Sequence, residues 1–277
     1  MSKEKLQDDY KQPVSSEDMV ELAKQQYEQK KVSDYKFPTE IIELPSKGLI
    51  YPKDNPLSSG KVEMKYMTAK EEDILTNANY ITKGNVIDKL IESLLIDKTI
   101  DINDILVGDK NALMIAVRLL SYGKDYNITY GGESITVDLT KLKHFKIDYS
   151  LYQEGKNEFE FKLPNTDNTV TIKCLSTKDE KLISREIQGN QKMNKEANTA
   201  STSRLKYLIT SVNGLKETKD IREFVDKYLL AKDARAIRTF YKSINPDIDL
   251  SYKFTNSMGG EEDVIVPIGL DFFWPDA

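Results

Sequence analysis

The sequence predicts an α+β fold of two similar lobes from an internal duplication, each a small antiparallel sheet with helices, plus an N-terminal helix. Three observations carry that expectation. The first is a gapless correspondence between residues 62–75 (VEMKYMTAKEEDIL) and 170–183 (VTIKCLSTKDEKLI). Four letters are identical, Val62/Val170, Lys65/Lys173, Lys70/Lys178 and Glu72/Glu180, and most other columns swap like for like, as in Met64/Ile172, Met67/Leu175 and Thr68/Ser176. The second is what each copy says physically. Alternating apolar and polar residues make a strand, a hydroxyl residue supplies a helix N-cap, and the acids after it sit at the positive end of the helix dipole. The third is the order of the later elements, since Asp109 answers Asp233 and Gly131 with Gly132 answers Gly259 with Gly260. Two copies imply two lobes, because a solenoid needs at least about three.

Residues 1–36 are polar, and SSEDMVELAKQQYEQKK reads as one helix capped at Ser15 or Ser16. Met19, Val20, Leu22, Ala23 and Tyr27 make a narrow apolar stripe on it, suited to docking on a partner or on the chain's own domain edge, with a solvated tail as the alternative. Met19, Leu22 and Tyr27 are therefore candidate partner-binding residues.

The first lobe is placed at 37–148. It opens with IIEL, a turn at Pro45 and Gly48, and the loop KDNPLSSG before KVEMKYM, which together read as a hairpin with a long loop. Pro45 and Pro52 bracket LIY closely enough to make that strand an edge. Helices are expected over 68–77 and about 84–95, with a longer one from near Asp109. Leu113, Met114, Val117, Leu119 and Leu120 give that last helix a wide apolar face, marking it as the core helix, and Gly123 stops it. A strand pair about Gly131 and Gly132, with type I′ turn chemistry, closes the lobe.

The second lobe is placed at 149–277. EFEFKLP opens it with Phe159, Phe161 and Leu163 alternating, and the strand-cap-helix unit comes after. QGNQKMNKEANTASTSRLK is almost bare of large apolar residues and reads as a polar insertion. The chain closes on LDFFWPDA. Phe272, Phe273 and Trp274 either pack back on the second lobe or anchor another subunit, so they too are candidate partner-binding residues.

Composition narrows the chemistry. Charged residues make up 31% and apolar residues 39% of the 277, with a formal net charge of −5. No stretch is long and apolar enough for a membrane span and no secretory signal is seen, so a cytoplasmic setting is expected. The single cysteine, Cys174, excludes an internal disulfide, and its strand context suits a buried small hydrophobe better than a nucleophile. His144 is the only histidine, which rules out two-histidine metal motifs and leaves any Ser-His or Cys-His pair dependent on one residue in a connector. No GxGxxG or P-loop pattern occurs. No catalytic residue, cofactor or metal is expected. With 45 acids, a carboxylate-only glycosidase stays open as a rival, and its mark would be two carboxylates about 5–9.5 Å apart in a sugar-sized cleft. A nucleic-acid-binding module is the other rival, resting on Lys141, Lys143 and Lys146 against an acidic net charge.

Taken in order, ELPSKGLIYP, the TAKEEDIL helix, GDKNALMIAVRLLSYG and the terminal FFWP resemble the family of T-even-type bacteriophage baseplate proteins that act in assembling the central hub. The resemblance spans about residue 40 to 277. It implies a non-enzymatic structural subunit or assembly chaperone whose partners are other baseplate or hub proteins, with a homo-oligomer open and neither nucleic acid nor membrane involved. It also implies residence in the host cytoplasm during assembly, and the virion tail baseplate if the protein stays. Many members of the family are expected to carry paired cysteines in the two glycine-containing hairpins, resembling zinc ribbons. This sequence has none there, so glycine turns alone must hold those hairpins.

Overall fold

A computed structural model describes residues 38–193 and 199–273. The chain divides into two units, Met1–Pro38 and Thr39–Ala277. The described residues of the second unit form eight α-helices and five small antiparallel sheets, an α+β fold.

The first half begins with Thr39–Glu43 (β1) paired antiparallel to Lys61–Lys65 (β2), Ile42 opposite Val62. The pleat puts Val62 and Met64 in the core and Lys61 and Glu63 in solvent. Three short helices come next, Ala69–Leu75 (α1), Ala78–Lys83 (α2) and Val86–Leu94 (α3). Directly after α3 the chain returns to β2, through a bridge from Leu95 to Met64 and a hydrogen bond from the Ile96 amide to the Glu63 carbonyl at 3.0 Å.

The long helix Val107–Tyr122 (α4) is buried on nearly all sides, from Ala112 through Val117, as expected of a core helix. The hairpin Asp125–Tyr130 (β3) and Glu133–Asp138 (β4) then turns in two residues, Gly131 and Gly132, at φ 57° and 86°. Two successive positive φ values are what a type I′ turn needs.

The second half opens in a similar order. Phe159–Lys162 (β6) pairs with Thr169–Ile172 (β7), and Val170 and Ile172 point inward as Val62 and Met64 do. After Thr177–Met193 (α5) and Ala200–Leu208 (α6), the strand Ile209–Val212 (β8) joins the far side of β7 as a full third strand. Thr218–Glu223 (α7) runs into a π-helical turn at Phe224–Tyr228, and Ala231–Ile244 (α8) comes after it. The hairpin Ser251–Thr255 (β10) and Glu261–Ile265 (β11) is last.

The two halves are sewn together. Leu106 bridges Ser176, the Val107 amide donates to the Leu175 carbonyl at 3.0 Å, and the Thr177 amide donates to the Ile105 carbonyl at 2.8 Å, so α4 and α5 start side by side. Lys143–His144 (β5) pairs with Ile248–Asp249 (β9) across the same divide. Gly108 marks the closest approach, since a Cβ there would lie 1.7 Å from the Pro246 carbonyl oxygen.

Two expectations change. The residues LIY form no strand; Leu49, Ile50 and Tyr51 lie in a turn, with Ile50 and Tyr51 buried, because Gly48 at φ 75° and the bonds that Ser46 and Tyr51 donate to Asp109 curl the segment inward. The helix α2 escapes the sequence pattern, being only six residues between the Asn77 cap and Gly84. Of the polar insertion, residues 188–193 belong to α5 and 200–206 to α6, while 194–198 lie outside the described residues.

Candidate functional site

The buried carboxylates of the interior sit at the starts of helices. In the first half Glu71 accepts hydrogen bonds from the Thr68 amide at 3.0 Å and hydroxyl at 2.5 Å, and pairs with Lys65 at 2.7 Å. In the second, Asp179 accepts from the Ser176 amide at 3.0 Å and hydroxyl at 3.1 Å, and pairs with Lys173 at 2.8 Å. These are the columns that the correspondence between residues 62–75 and 170–183 sets opposite each other. Burial alone would raise the Glu71 carboxyl, but its bonds from Lys65, Thr68 and Ser93 outweigh that and lower it to about 2.

A second pair of clasps lies deeper. Asp109, third residue of α4, accepts from the Ser46 amide at 2.9 Å, the Ser46 hydroxyl at 2.6 Å and the Tyr51 hydroxyl at 2.7 Å. Asp233, third residue of α8, accepts from the Asn165 amide at 3.0 Å, its side-chain amide at 2.7 Å and the Thr166 hydroxyl at 3.0 Å. Each carboxylate thus ties a helix N-terminus to the turn that leaves its half's first strand, and favours the positive end of the helix dipole. Their titration differs. Burial, with Asp247 nearby, pushes Asp109 up to about 6 despite its hydrogen bonds. At Asp233 burial also raises the pKa, yet the Asn165 and Thr166 bonds prevail and the carboxyl is held below its usual value.

Around Asp109 lie other shifted groups, all inward-facing. Burial raises the Tyr51 hydroxyl and, with the charge of Asp109, raises the Cys174 thiol. Cys174 is fully buried and leans on the Ile244 carbonyl, a structural small hydrophobe rather than an accessible thiolate. His144 is exposed in β5.

A groove of about 780 Å³ runs between α3, α4 and α5 and is lined by Lys83, Asp88, Lys110, Glu180, Lys181 and Arg185 among others. It does hold two acids. Asp88, however, is clamped between Lys110 and Lys181, the latter at 2.7 Å, and Glu180 pairs with Arg204 at 2.6 Å. Burial raises Asp88, but the two lysines overcome it and hold the carboxyl below the usual range, opposite to what a glycosidase acid requires.

Of the residues singled out from sequence, Phe272 and Phe273 are fully buried in this chain. Phe272 meets Tyr126 of β3 edge-on at 4.9 Å, and Phe273 meets Phe272 at 5.2 Å. The ring contact is with β3 of the first half, and these two buried rings offer no surface to another subunit in this arrangement. Met19, Leu22, Tyr27 and Trp274 lie outside the described residues. Lys141, Lys143 and Lys146 are exposed along the connector. Sequence reasoning missed Ser46 and Tyr51 at the Asp109 clasp and the Asp88–Lys110–Lys181 cluster, whose members come from three separate helices and leave no short-range signal.

Among the described residues no group of three or more His, Cys, Asp or Glu side chains could hold a metal ion, and no helix is long and apolar enough to cross a membrane. No curated protein and no solved structure matches the chain. The family described as T4 bacteriophage base plate protein does match, over residues 39–274, which takes in both halves of the fold and the buried C-terminal rings. The chain thus belongs to the T4 bacteriophage base plate protein family.

Proposed function

We propose that this baseplate protein is a non-enzymatic component of the baseplate hub, a structural subunit or assembly factor, built from two copies of one α+β unit and meeting other baseplate proteins in the host cytoplasm during assembly. The observation that carries this reading is how the buried carboxylates are used. Glu71 and Asp109 in one half, and Asp179 and Asp233 in the other, are spent on the same two internal clasps. Groups engaged in this way hold a scaffold rigid and are turned into the interior, away from a substrate. The matching order of strand pair, capped helix, return of the chain to the second strand (by a bridge in one half and a full strand in the other), clasped helix and hairpin supports descent from a duplicated unit.

The test is a phage lacking this protein, supplied in trans with the wild-type chain or with none. Tails from the deficient infection are expected to lack a complete hub and to regain it on complementation. Mass spectrometry of purified virions separates the two forms of the proposal, since a structural subunit is present in stoichiometric amount and an assembly factor is absent. Normal hubs without the protein, or hydrolysis of a peptidoglycan fragment by the purified chain, would refute it.

A further inference from the structure

Two surface features of the second half complement each other: one is a basic helix face and the other a hairpin that rests on β4 through Ser257 and Glu133 at 3.2 Å but keeps its acidic side chains out of any ion pair among the described residues. One lies on α8. Its exposed side carries Lys232, Arg235, Arg238 and Lys242, while its one acid, Asp233, is buried in the clasp. Lys173, Lys181, Arg204, Lys206 and Arg222 on neighbouring elements all have carboxylate partners. Lys232, Arg235 and Lys242 form no ion pair with any described residue. Lys232 and Arg235 instead rim an open depression of about 560 Å³ whose apolar floor is Phe161 stacked on Phe240, centroids 4.5 Å apart and planes at 11°.

The other feature is the β10–β11 hairpin. Its loop holds Met258 92% exposed, and β11 leaves Ile265 66% exposed. Glu261 and Asp263 share the outward face of β11 with Ile265, since Val264 on the alternate face is buried, and Lys253 opposite Asp263 is the only cation of the two strands. The hairpin is thus an acidic finger with an unbranched, polarisable side chain at its tip, suited to filling an irregular apolar hollow.

We propose that two copies of this chain associate head to tail, the β10–β11 hairpin of one seating Met258 in the Phe161/Phe240 depression of the next, with Glu261 and Asp263 set against Lys232 and Arg235. A second copy is the occupant favoured here because both complementary faces belong to one chain. The net charge of −5 opposes contacts between like faces and leaves this pairing of opposite faces as the attractive one. Such a contact is heterologous, so repeated it closes a ring or extends a filament. These surfaces are independent of the hub reading, so either can fail without the other.

Sedimentation velocity on the full-length chain tests it. Association is expected at low salt, weakened about tenfold at high salt because the paired charges are exposed. Lys232→Glu/Arg235→Glu breaks one face and Glu261→Lys/Asp263→Lys the other, and neither touches a buried group, so each variant is expected to stay folded by circular dichroism yet sediment as a monomer. Mixed in equal amounts, the two variants are opposite in charge at both contacts, acidic hairpin on basic helix and basic hairpin on acidic helix, and are expected to recover association as alternating copies. Combining all four changes in one chain reverses both faces together and is expected to restore association. Met258→Asp is expected to abolish it. A wild-type chain that stays monomeric, folded variants that still associate, a mixture that does not associate, or an α8 face that binds a single-stranded oligonucleotide in place of a second copy would each overturn the proposal.

Discussion

Replacing Asp109 by Asn separates the two deep clasps by the sign of their pH dependence. Folding raises the Asp109 pKa from 3.8 to about 6, so the folded chain holds this proton more tightly than the unfolded chain does. The resulting stabilisation is complete below the unfolded pKa and is lost as pH rises through about 6. About two pH units at about 1.4 kcal/mol each gives about 3 kcal/mol. Asp109→Asn has no proton to lose. Whatever constant penalty the amide brings at Ser46 and Tyr51, the wild type should lose about 3 kcal/mol relative to the variant between about pH 3.5 and pH 7. Other titrating groups, Glu71 and Asp247 among them, are present in both proteins and largely cancel in the difference. For a chain of this size the change corresponds to roughly 6–12 °C in Tm. The assay is urea denaturation followed by circular dichroism at a series of fixed pH values, with the difference plotted against pH. Asp233→Asn is the control with the opposite sign: its carboxyl is held below the usual value, so the wild type should gain on that variant as pH rises. A difference curve for Asp109→Asn that is flat to within about 0.5 kcal/mol, or that slopes the other way, would refute the burial argument.

Gly108→Ala should cost roughly 3 kcal/mol or more, or prevent folding, because the new methyl would occupy the Pro246 carbonyl, and a thermal melt reads it directly. Phe272→Ala should cost roughly 3–5 kcal/mol through the cavity it leaves against Tyr126 and Phe273; a loss below about 1 kcal/mol would mean the C-terminal rings do not fix the end of the fold. Cys174 should react with a thiol reagent only in denaturant, since it is fully buried with its thiol shifted up, and rapid labelling of the native chain would contradict its placement.

The part of the fold legible in the sequence was the part fixed by local chemistry. Thr68 and Ser176 start helices as their hydroxyls and neighbouring acids suggested, Gly131 and Gly132 make the tight turn, and α4 is the core helix its apolar run described. The rest depends on residues far apart in the chain. LIY has the composition of a strand, yet Asp109, more than fifty residues later, draws Ser46 and Tyr51 into a turn. The aromatic end was legible as something to be buried, but its destination beside Tyr126 depends on how the halves meet. The pairing of Asp109 with Asp233 was visible as a letter match, while its meaning needed the partners Ser46, Tyr51, Asn165 and Thr166.

The seam between the halves also sets a timetable for synthesis. Ile105 and Val107 find their hydrogen-bond partners at Thr177 and Leu175, and Gly108 finds its neighbour only at Pro246. At ~5–20 residues per second a ribosome needs about 4–14 s to add the roughly 70 residues that complete the first contact, and about twice that for the second. During that wait the emerging first half holds the start of its core helix open, with a glycine-sized gap where Pro246 will lie. Co-translational chaperones would meet the nascent chain there, and a slow codon run between the two halves would prolong their access.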